Sequence, residues 1–238
     1  MTPEQIERAA AAAWPALEVE ERDGWLLRHT PGLDRARSNA ALPLVAEPDP
    51  AVVEAFGAAR GAPPLVQVAP LEARAALDAR LAAAGWTARM RVDVLTARVA
   101  DLAAPTQPVA VLSTPAPRWL DAWARAEERT DAAAHAELVF SRMPPGRAAY
   151  ALAPGGACVG LAVCTDDGAC GLFCMAARRE ARRRGLASAV LAGLAEWARG
   201  AGAILVYLQV LESNVEAHAL YARAGFTRSH GYVHRQLG

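Results

Sequence analysis

Short apolar runs alternate along the chain with stretches in which apolar residues recur every three to four positions. In the C-terminal third, the runs Gly171 to Met175 and Ile204 to Val210 each predict a buried strand. Between them, apolar residues at helical spacing form one face of a helix, namely Leu186, Val190, Leu194 and Trp197. Glu212-Ser213-Asn214 then begins a further helix, and a last strand ends near Leu237.

The N-terminal half predicts a similar mixture of helices and strands. Thr2 can cap a helix that begins at Pro3 and runs to Ala13, and Asp23-Gly24 predicts the turn of a hairpin within 18–30. The other predicted elements are a strand within 38–44, a helix from 50 to 60, a strand at 65–68, a helix over 71–84 and a strand over 86–99.

Residues 101–108 are the best candidate for a linker, because they contain Ala-Ala-Pro-Thr-Gln-Pro. We therefore predict two lobes, over residues 1–103 and 108–238. The second lobe begins with a strand at 109–112, helices over 117–126 and 132–143, and a meander of strands at 147–152, 157–164 and 170–175. Trp119 and Trp123 lie one helical turn apart, which core packing explains better than ligand stacking.

A strand, helix, strand unit occurs in both halves. The first helix ends on Ala84-Gly85-Trp86-Thr87 and the second on Ala224-Gly225-Phe226-Thr227. The match is short, so coincidence stays an alternative, but the shared order of elements favours a duplication. Aligning the two glycines places Leu81 where the second half has Tyr221.

Composition narrows the class of protein. The 238 residues carry 25 basic and 25 acidic side chains, so bulk attraction to nucleic acid or to an anionic membrane is not implied. No apolar run reaches the length of a transmembrane span, and the first residues, which lack a basic region followed by an apolar core, do not predict a secretory leader. The four cysteines match no zinc pattern, which favours buried reduced thiols in a cytoplasmic protein.

The turn before the helix that carries Leu186 has the composition of an anion site. In Arg182-Arg183-Arg184-Gly185-Leu186-Ala187-Ser188, Gly185 lacks a Cβ and Ala187 has a minimal one, so a ligand can approach the main chain. The helix N-terminus would add outward amides and the positive end of its dipole. The sequence therefore predicts a pyrophosphate site, with a solvated helix start as the plain alternative.

These motifs resemble the GNAT family of acetyl-CoA-dependent N-acetyltransferases. The resemblance rests on Arg-x-x-Gly-x-Ala followed by Asn214 and then Ala219-Leu220-Tyr221-x-x-x-Gly225-Phe226, and it covers residues 108–238. It implies a mixed, mostly antiparallel, splayed sheet with flanking helices. A looser match, Gly24-Trp25-Leu26-Leu27-Arg28 and Arg37-Ser38-Asn39, is similar to a tandem form with a degenerate first lobe.

The resemblance also implies roles for individual residues. Met175, Ala176 and Ala177 would lend main-chain groups to the pantetheine arm of acetyl-CoA, and residues Arg182 to Ser188 would surround its pyrophosphate. Asn214 would contact the cofactor arm and could also cap its helix. Tyr221 would donate a proton to the leaving thiolate of coenzyme A, with a plain core residue as the alternative. Arg179 stands where the family commonly has proline.

The sequence leaves the general base and the acceptor open. No carboxylate lies in Gly171 to Met175; the remaining candidates are Glu137, Glu212, His135, His218 and His234, and a water chain is equally compatible. We expect direct acetyl transfer to a primary amine on a small molecule or peptide, in a monomer or homodimer, without nucleic acid, membrane or metal. The alternative is a coenzyme A sensor or a pseudoenzyme scaffold.

Overall fold

The computed structural model describes residues 1–238. The helices are α1 (Pro3–Ala13), α2 (Ala36–Asn39), α3 (Ala51–Ala58), α4 (Ala75–Ala83), α5 (Pro117–Ala126), α6 (Ala132–Leu138), α7 (Leu186–Gly200) and α8 (Val215–Arg223). The strands are β1 (Glu18–Arg22), β2 (Trp25–His29), β3 (Leu42–Pro43), β4 (Leu65–Val68), β5 (Thr87–Arg98), β6 (Ala110–Leu112), β7 (Ala148–Leu152), β8 (Cys158–Cys164), β9 (Ala169–Ala177), β10 (Leu205–Leu211) and β11 (Thr227–Gln236). No helix is both long and apolar enough to cross a membrane.

The local signals for the first elements are confirmed. Thr2 caps α1 in a capping box, in which its hydroxyl accepts from the Gln5 amide and the Gln5 side chain accepts from the Thr2 amide. The hairpin of β1 and β2 turns at Asp23 and Gly24, whose φ angles of 48° and 80° are typical of a tight hairpin turn. Short-range chemistry therefore determines this end of the chain.

The predicted strand within 38–44 is mostly wrong. Residues 36–39 form the short helix α2, and only Leu42 and Pro43 pair as β3. The side chain of Asn39 explains the difference, since its Oδ1 accepts from the Thr30 amide and its Nδ2 donates to the carbonyls of Leu33 and Arg35. A side chain that satisfies backbone groups in this way competes with a strand ladder.

Two predicted helices are shorter than expected. Residues 72–74 form a turn of 3-10 helix before α4, and α6 ends at Leu138 ahead of a second 3-10 turn over 140–142. The other predicted helices and strands of the second half lie within one or two residues of their predicted positions. Boundaries of this kind depend on end fraying and on packing.

The strands form two sheets. The small one has the order β1-β2-β3, and the large one has the order β4-β11-β5-β10-β9-β8-β7-β6. The β9–β10 pair is parallel, whereas the pairs β4–β11, β6–β7, β7–β8 and β8–β9 are antiparallel. The predicted mixed, mostly antiparallel sheet with flanking helices is thus confirmed.

By internal contacts the chain divides into two compact units. Unit 1 contains residues 1–94, 210–214 and 228–238, and unit 2 contains residues 95–209 and 215–227. In unit 1, side chains such as Trp25, Leu77 and Trp86 form one apolar cluster with Leu81. In unit 2, Trp119 and Trp123 are stacked and fully buried, which confirms core packing for this pair.

The two strand, helix, strand units end their helices in the same way. Gly85 and Gly225 have φ angles of 86° and 96°, a conformation that favours glycine after a helix. The amide of the following aromatic residue donates to the carbonyl of Leu81 in one unit and of Tyr221 in the other, both at 3.0 Å. Leu81 and Tyr221 therefore occupy equivalent positions in their caps.

A network of buried polar side chains lies inside unit 1. Glu7, on α1, is 2% exposed; its Oε1 lies 2.8 Å from His230 Nε2 and its Oε2 accepts from Gln67 Nε2. Gln67 Oε1 in turn accepts from Arg28. A buried polar group without partners is costly, so this chain of bonds favours the arrangement of α1, β2, β4 and β11 in which every bond is formed.

His234 is the exception in this region. It is 4% exposed, and neither of its ring nitrogens has a hydrogen-bond partner. Burial, followed by the charges of Arg28 and Arg37, lowers the pKa of His234 from 6.5 to about 3. The folded state therefore holds His234 neutral at pH values at which the unfolded chain would protonate it.

We expect the His234→Leu variant to lose less stability than wild type as the pH falls. Between about pH 6.5 and pH 3 the unfolded chain binds a proton at this position that the folded chain does not, so wild-type stability falls as the pH falls. The free energy of unfolding of the variant relative to wild type should rise by about 2 kcal/mol from pH 7.5 to pH 5. Urea unfolding at both pH values measures this; parallel pH profiles of the two proteins would contradict it.

Candidate functional site

A gap opens in unit 2 where two parallel strands stop pairing. β9 and β10 are paired only from Ala169 to Leu172 and from Leu205 to Leu208. Beyond Leu172, residues 173–177 of β9 have no partner residues on β10, although they still pair with β8 on the other side. We call this gap the slot. One edge of β9 in the slot therefore presents main-chain groups that can bind a ligand.

A β-bulge lies on β9 beside the slot. Val159 pairs with Ala176 and Leu161 with Phe173, so Gly160 alone faces both Cys174 and Met175. Cys174 has a φ of 52°, which is rare for a residue with a side chain. Such a bulge breaks the ladder and re-aims main-chain groups, which is why bulges are frequent next to active sites.

The bulge depends on glycine in the neighbouring strand. A Cβ on Gly160 would lie 2.5 Å from Met175 Sδ and 2.9 Å from a methyl group of Leu194 on α7. A Cβ does not approach another heavy atom that closely, so any larger residue would force the side chains of Met175 and Leu194 to shift. Gly160 thus allows the three elements to approach each other.

The predicted anion site, residues 182–188, lies at the N-terminus of α7, and we call it the cradle. Arg183 and Gly185 have φ angles of 60° and 77° and turn the chain into the helix, for which Gly185 is the N-cap. The Ala189 amide donates to the Gly185 carbonyl, whereas the amides of Leu186, Ala187 and Ser188 precede the first helical hydrogen bond. The cradle therefore presents a row of amide donors at the positive end of a helix of 15 residues.

Gln107 is part of the cradle in the structure, and no sequence signal singled it out. Its Nε2 donates to the Arg184 carbonyl at 3.2 Å, and it lies 2.9 Å from where a Cβ on Gly185 would stand. The residue belongs to the stretch predicted as a linker. Only the tertiary structure brings residue 107 next to residue 185.

The arginines around the cradle differ in their partners. Arg178 and Arg179 lie near Glu180 and Glu128, at N–O distances of 3.5 and 3.6 Å. Arg183 and Arg184 are exposed and form no ion pair, and Arg182 donates only to the Ala177 carbonyl. The uncompensated charge at the mouth of the cradle is therefore positive, which favours an anionic ligand.

Tyr221 lies on α8 and packs against Phe226, with 5.9 Å between the ring centroids. It is 7% exposed, and its hydroxyl makes no hydrogen bond within the chain. Burial, and then the nearby Cys158 thiol, raise the pKa of Tyr221 to about 12.

Tyr150 is a second buried hydroxyl in unit 2, and sequence analysis did not single it out. Its hydroxyl has no hydrogen-bond partner, and burial together with the Cys174 thiol raises the pKa of Tyr150. Its ring packs against Trp119 at 5.0 Å between centroids. The phenol therefore stays protonated near the bulge at Cys174.

The remaining sequence-predicted residues lie apart from these features or on the surface. Asn214 directly precedes α8, is exposed, and donates its amide to the Leu211 carbonyl. His135 is fully buried against Trp123, and its Nδ1 lies 3.4 Å from an oxygen of Asp131. Glu137 and Glu212 are exposed, His218 is half-buried, and His234 belongs to the core of unit 1.

A model of the family described as "Probable histone acetyltransferase Rv0428c C-terminal" matches residues 4–235. A relative named "Uncharacterized N-acetyltransferase YobR", from Bacillus subtilis, is 28% identical over 236 residues and 94% of each chain.

Two solved structures share the fold. A GCN5-related N-acetyltransferase from Kribbella flavida superposes with a TM-score of 0.77 at 20% identity, over 98% of this chain and 95% of its own. A functionally unknown conserved protein from Staphylococcus epidermidis superposes with a TM-score of 0.64 at 11% identity, over 93% of each chain. Since the family model spans nearly the whole sequence, the chain belongs to that family and is a GNAT-type N-acetyltransferase.

Proposed function

We propose that the protein transfers the acetyl group of acetyl-CoA to a primary amine by direct attack. The observation that carries the proposal is the continuity of two main-chain features: the slot along β9 leads through residues 178–181 into the cradle at the start of α7. This arrangement suits a ligand with a pyrophosphate at one end and an amide-containing arm at the other.

In this proposal the cradle binds the pyrophosphate. Amides of residues 185–188 donate to its oxygens, and the exposed guanidinium groups of Arg183 and Arg184 neutralise its charge. The main chain of Met175, Ala176 and Ala177 forms hydrogen bonds with the pantetheine arm. The arm thus takes the place that β10 would have if it stayed paired with β9 to the end. Gln107 holds the loop from the outside through the Arg184 carbonyl.

The bulge positions the thioester for attack. A main-chain amide near Met175, beside the bulge, can donate to the oxygen that becomes negative in the tetrahedral intermediate. Holding the thioester there next to the amine replaces a bimolecular encounter by an oriented one. These contributions come from main-chain groups.

Tyr221 is the proposed acid for the leaving group. A phenol with a pKa of about 12 is fully protonated near neutral pH and can transfer its proton to the departing thiolate. Its free hydroxyl suits this role, since no partner within the chain competes for the proton.

We further propose that residues 1–103 form a lobe that does not bind coenzyme A. The reason is that Leu81 occupies, in its helix cap, the position that Tyr221 has in the other. Residues 44–50, which precede α3, also contain no arginine and no glycine. The four free cysteines agree with a cytoplasmic protein.

Gly185→Glu should abolish binding of acetyl-CoA. At a φ of 77° a side chain is strained, a Cβ would lie 2.9 Å from Gln107, and the carboxylate would repel phosphate. Calorimetry should show at least a hundredfold weaker affinity, on the order of the loss of two charge-assisted hydrogen bonds.

The matched control for this variant is Gly200→Glu, at the other end of α7, where a Cβ meets nothing within 4 Å. That variant should bind acetyl-CoA like wild type. Equal affinity in Gly185→Glu and Gly200→Glu would remove the cradle from the proposal.

Tyr221→Phe should lower kcat by about a hundredfold to ten-thousandfold if proton transfer limits the rate. The ring that packs 5.9 Å from Phe226 is retained, so the melting temperature and the affinity for acetyl-CoA should change little. Steady-state kinetics with an acceptor amine found by a panel screen provides the measurement. A change confined to KM would assign the hydroxyl to binding, and wild-type turnover would make Tyr221 a core residue.

A further inference from the structure

A cavity of about 540 Å³ lies within unit 1, and the proposed transferase site does not use it. Its wall is built by the segments 28–36 and 60–65, together with Asn39, Ala41, Val53, Phe56, Gly57 and Gln236. All of these residues belong to unit 1. A cavity of this volume is in the range of small-molecule sites.

The charge of Arg28 is the feature of this wall that needs an explanation. Arg28 is 2% exposed and forms no ion pair. Its Nε donates to the Ala40 carbonyl at 2.8 Å and one Nη to Gln67 Oε1 at 2.9 Å, both neutral acceptors. A buried guanidinium held only by neutral groups is costly, and a bidentate anion is its natural complement.

Glu7 compensates part of this charge through space, without a hydrogen bond to Arg28. Its carboxylate reaches Arg28 through the side chain of Gln67 and is itself paired with His230. Burial lowers the pKa of Arg28 to about 10, so the guanidinium still carries its charge near neutral pH. The positive charge of Arg28, whose donors bind neutral partners, is therefore only partly compensated.

The rest of the lining is mainly apolar, with a basic excess. Val53 and Phe56 are buried on α3, and Ala41 is buried opposite. Arg60 stacks on the Phe56 ring at 3.6 Å and is paired with Glu18. The one carboxylate among the lining residues is that of Asp34, which is exposed. The wall thus combines an apolar surface with a buried cation.

We propose that this cavity binds a small carboxylate with an apolar body. The carboxylate is held by the guanidinium of Arg28, and the apolar body lies against Val53, Phe56 and Leu65. A neutral ligand of the same shape would bury the same apolar area and leave Arg28 without its anion. The structure therefore favours the acid over its alcohol, because hydrogen bonds between ionised groups are about twice as strong as neutral ones.

Binding to the full-length protein tests the proposal, with hydrocinnamate and octanoate as probes and their alcohols as neutral controls. Calorimetry should give each acid an affinity at least about tenfold higher than that of its alcohol. The acids should also raise the melting temperature. Equal affinities for acid and alcohol, or no binding of either acid at millimolar concentration, would overturn the proposal.

Two variants locate the binding. Ala36→Phe places a ring in the cavity and should remove binding of the acids, whereas Ala58→Phe, on an exposed position of α3 outside the lining, should leave it unchanged. Arg28→Met should remove the preference for the acid; if that variant does not fold, the Ala36→Phe and Ala58→Phe pair decides. Retained binding in Ala36→Phe contradicts the assignment.

Gly185→Glu separates this proposal from the transferase site. Hydrocinnamate should bind that variant as it binds wild type, since Gly185 belongs to unit 2 and does not line the cavity. Loss of hydrocinnamate binding in Gly185→Glu would mean that the acid occupies the slot or the cradle, and would overturn the proposal. If wild type does not bind acetyl-CoA, the transferase proposal fails, but the binding of hydrocinnamate in unit 1 still tests the cavity proposal.

Discussion

The site in unit 2 depends on one interruption: the parallel pairing between β9 and β10 ends after Leu172 and Leu208. A sheet normally satisfies the main-chain groups of each interior strand on both sides. Here β9 continues to Ala177 with β8 on one side only, so its other edge has donors and acceptors available inside the fold. The chain that leaves β9 at Ala177 continues within eight residues to the N-cap of α7, where a second row of amides is available.

The groups proposed to bind acetyl-CoA are therefore mostly backbone groups, and the residues that matter most are those with the smallest side chains. Gly160 permits the bulge at Cys174 and Met175, and Gly185 permits the turn into α7. In both cases a methyl group would collide with a neighbouring atom at less than 3 Å. At such positions the size of the side chain matters more than its chemical type, because close packing leaves only tenths of an ångström of space.

The two units are stabilised in different ways. Unit 2 has an aromatic centre in which Phe140 packs edge to face against Trp119, Trp123 and Tyr150, while Trp119 and Trp123 stack on each other. The indole of Trp119 donates to two strand carbonyls. Unit 1 adds to its apolar cluster the buried chain Glu7–Gln67–Arg28. A buried polar network is stabilising only when its members are satisfied. In this region Arg28 donates only to neutral acceptors, and neither ring nitrogen of His234 has a partner. This is why unit 1 is the source of both the acid-stability prediction and the second binding site.

The sequence alone determined the features that depend on neighbouring residues. The capping box of Thr2, the turn at Asp23-Gly24, the helix ends at Gly85 and Gly225, and the glycine turn before α7 are all local chemistry, and each was predicted at its position. The mixed, mostly antiparallel sheet followed from the resemblance carried by the Arg-x-x-Gly-x-Ala motif.

Other features depend on residues distant in sequence. The strand expected within 38–44 became α2, because Asn39 found acceptors and donors in the loop over 30–35. The side chain of Gln107 lies next to Gly185, and Cys174 has a positive φ opposite Gly160. Arg28 is buried away from water and has no carboxylate as a hydrogen-bond partner. No pattern along the chain records these facts, since register, bulges and buried charge are decided by which strands pair and which side chains meet, and only the tertiary structure brings those groups together.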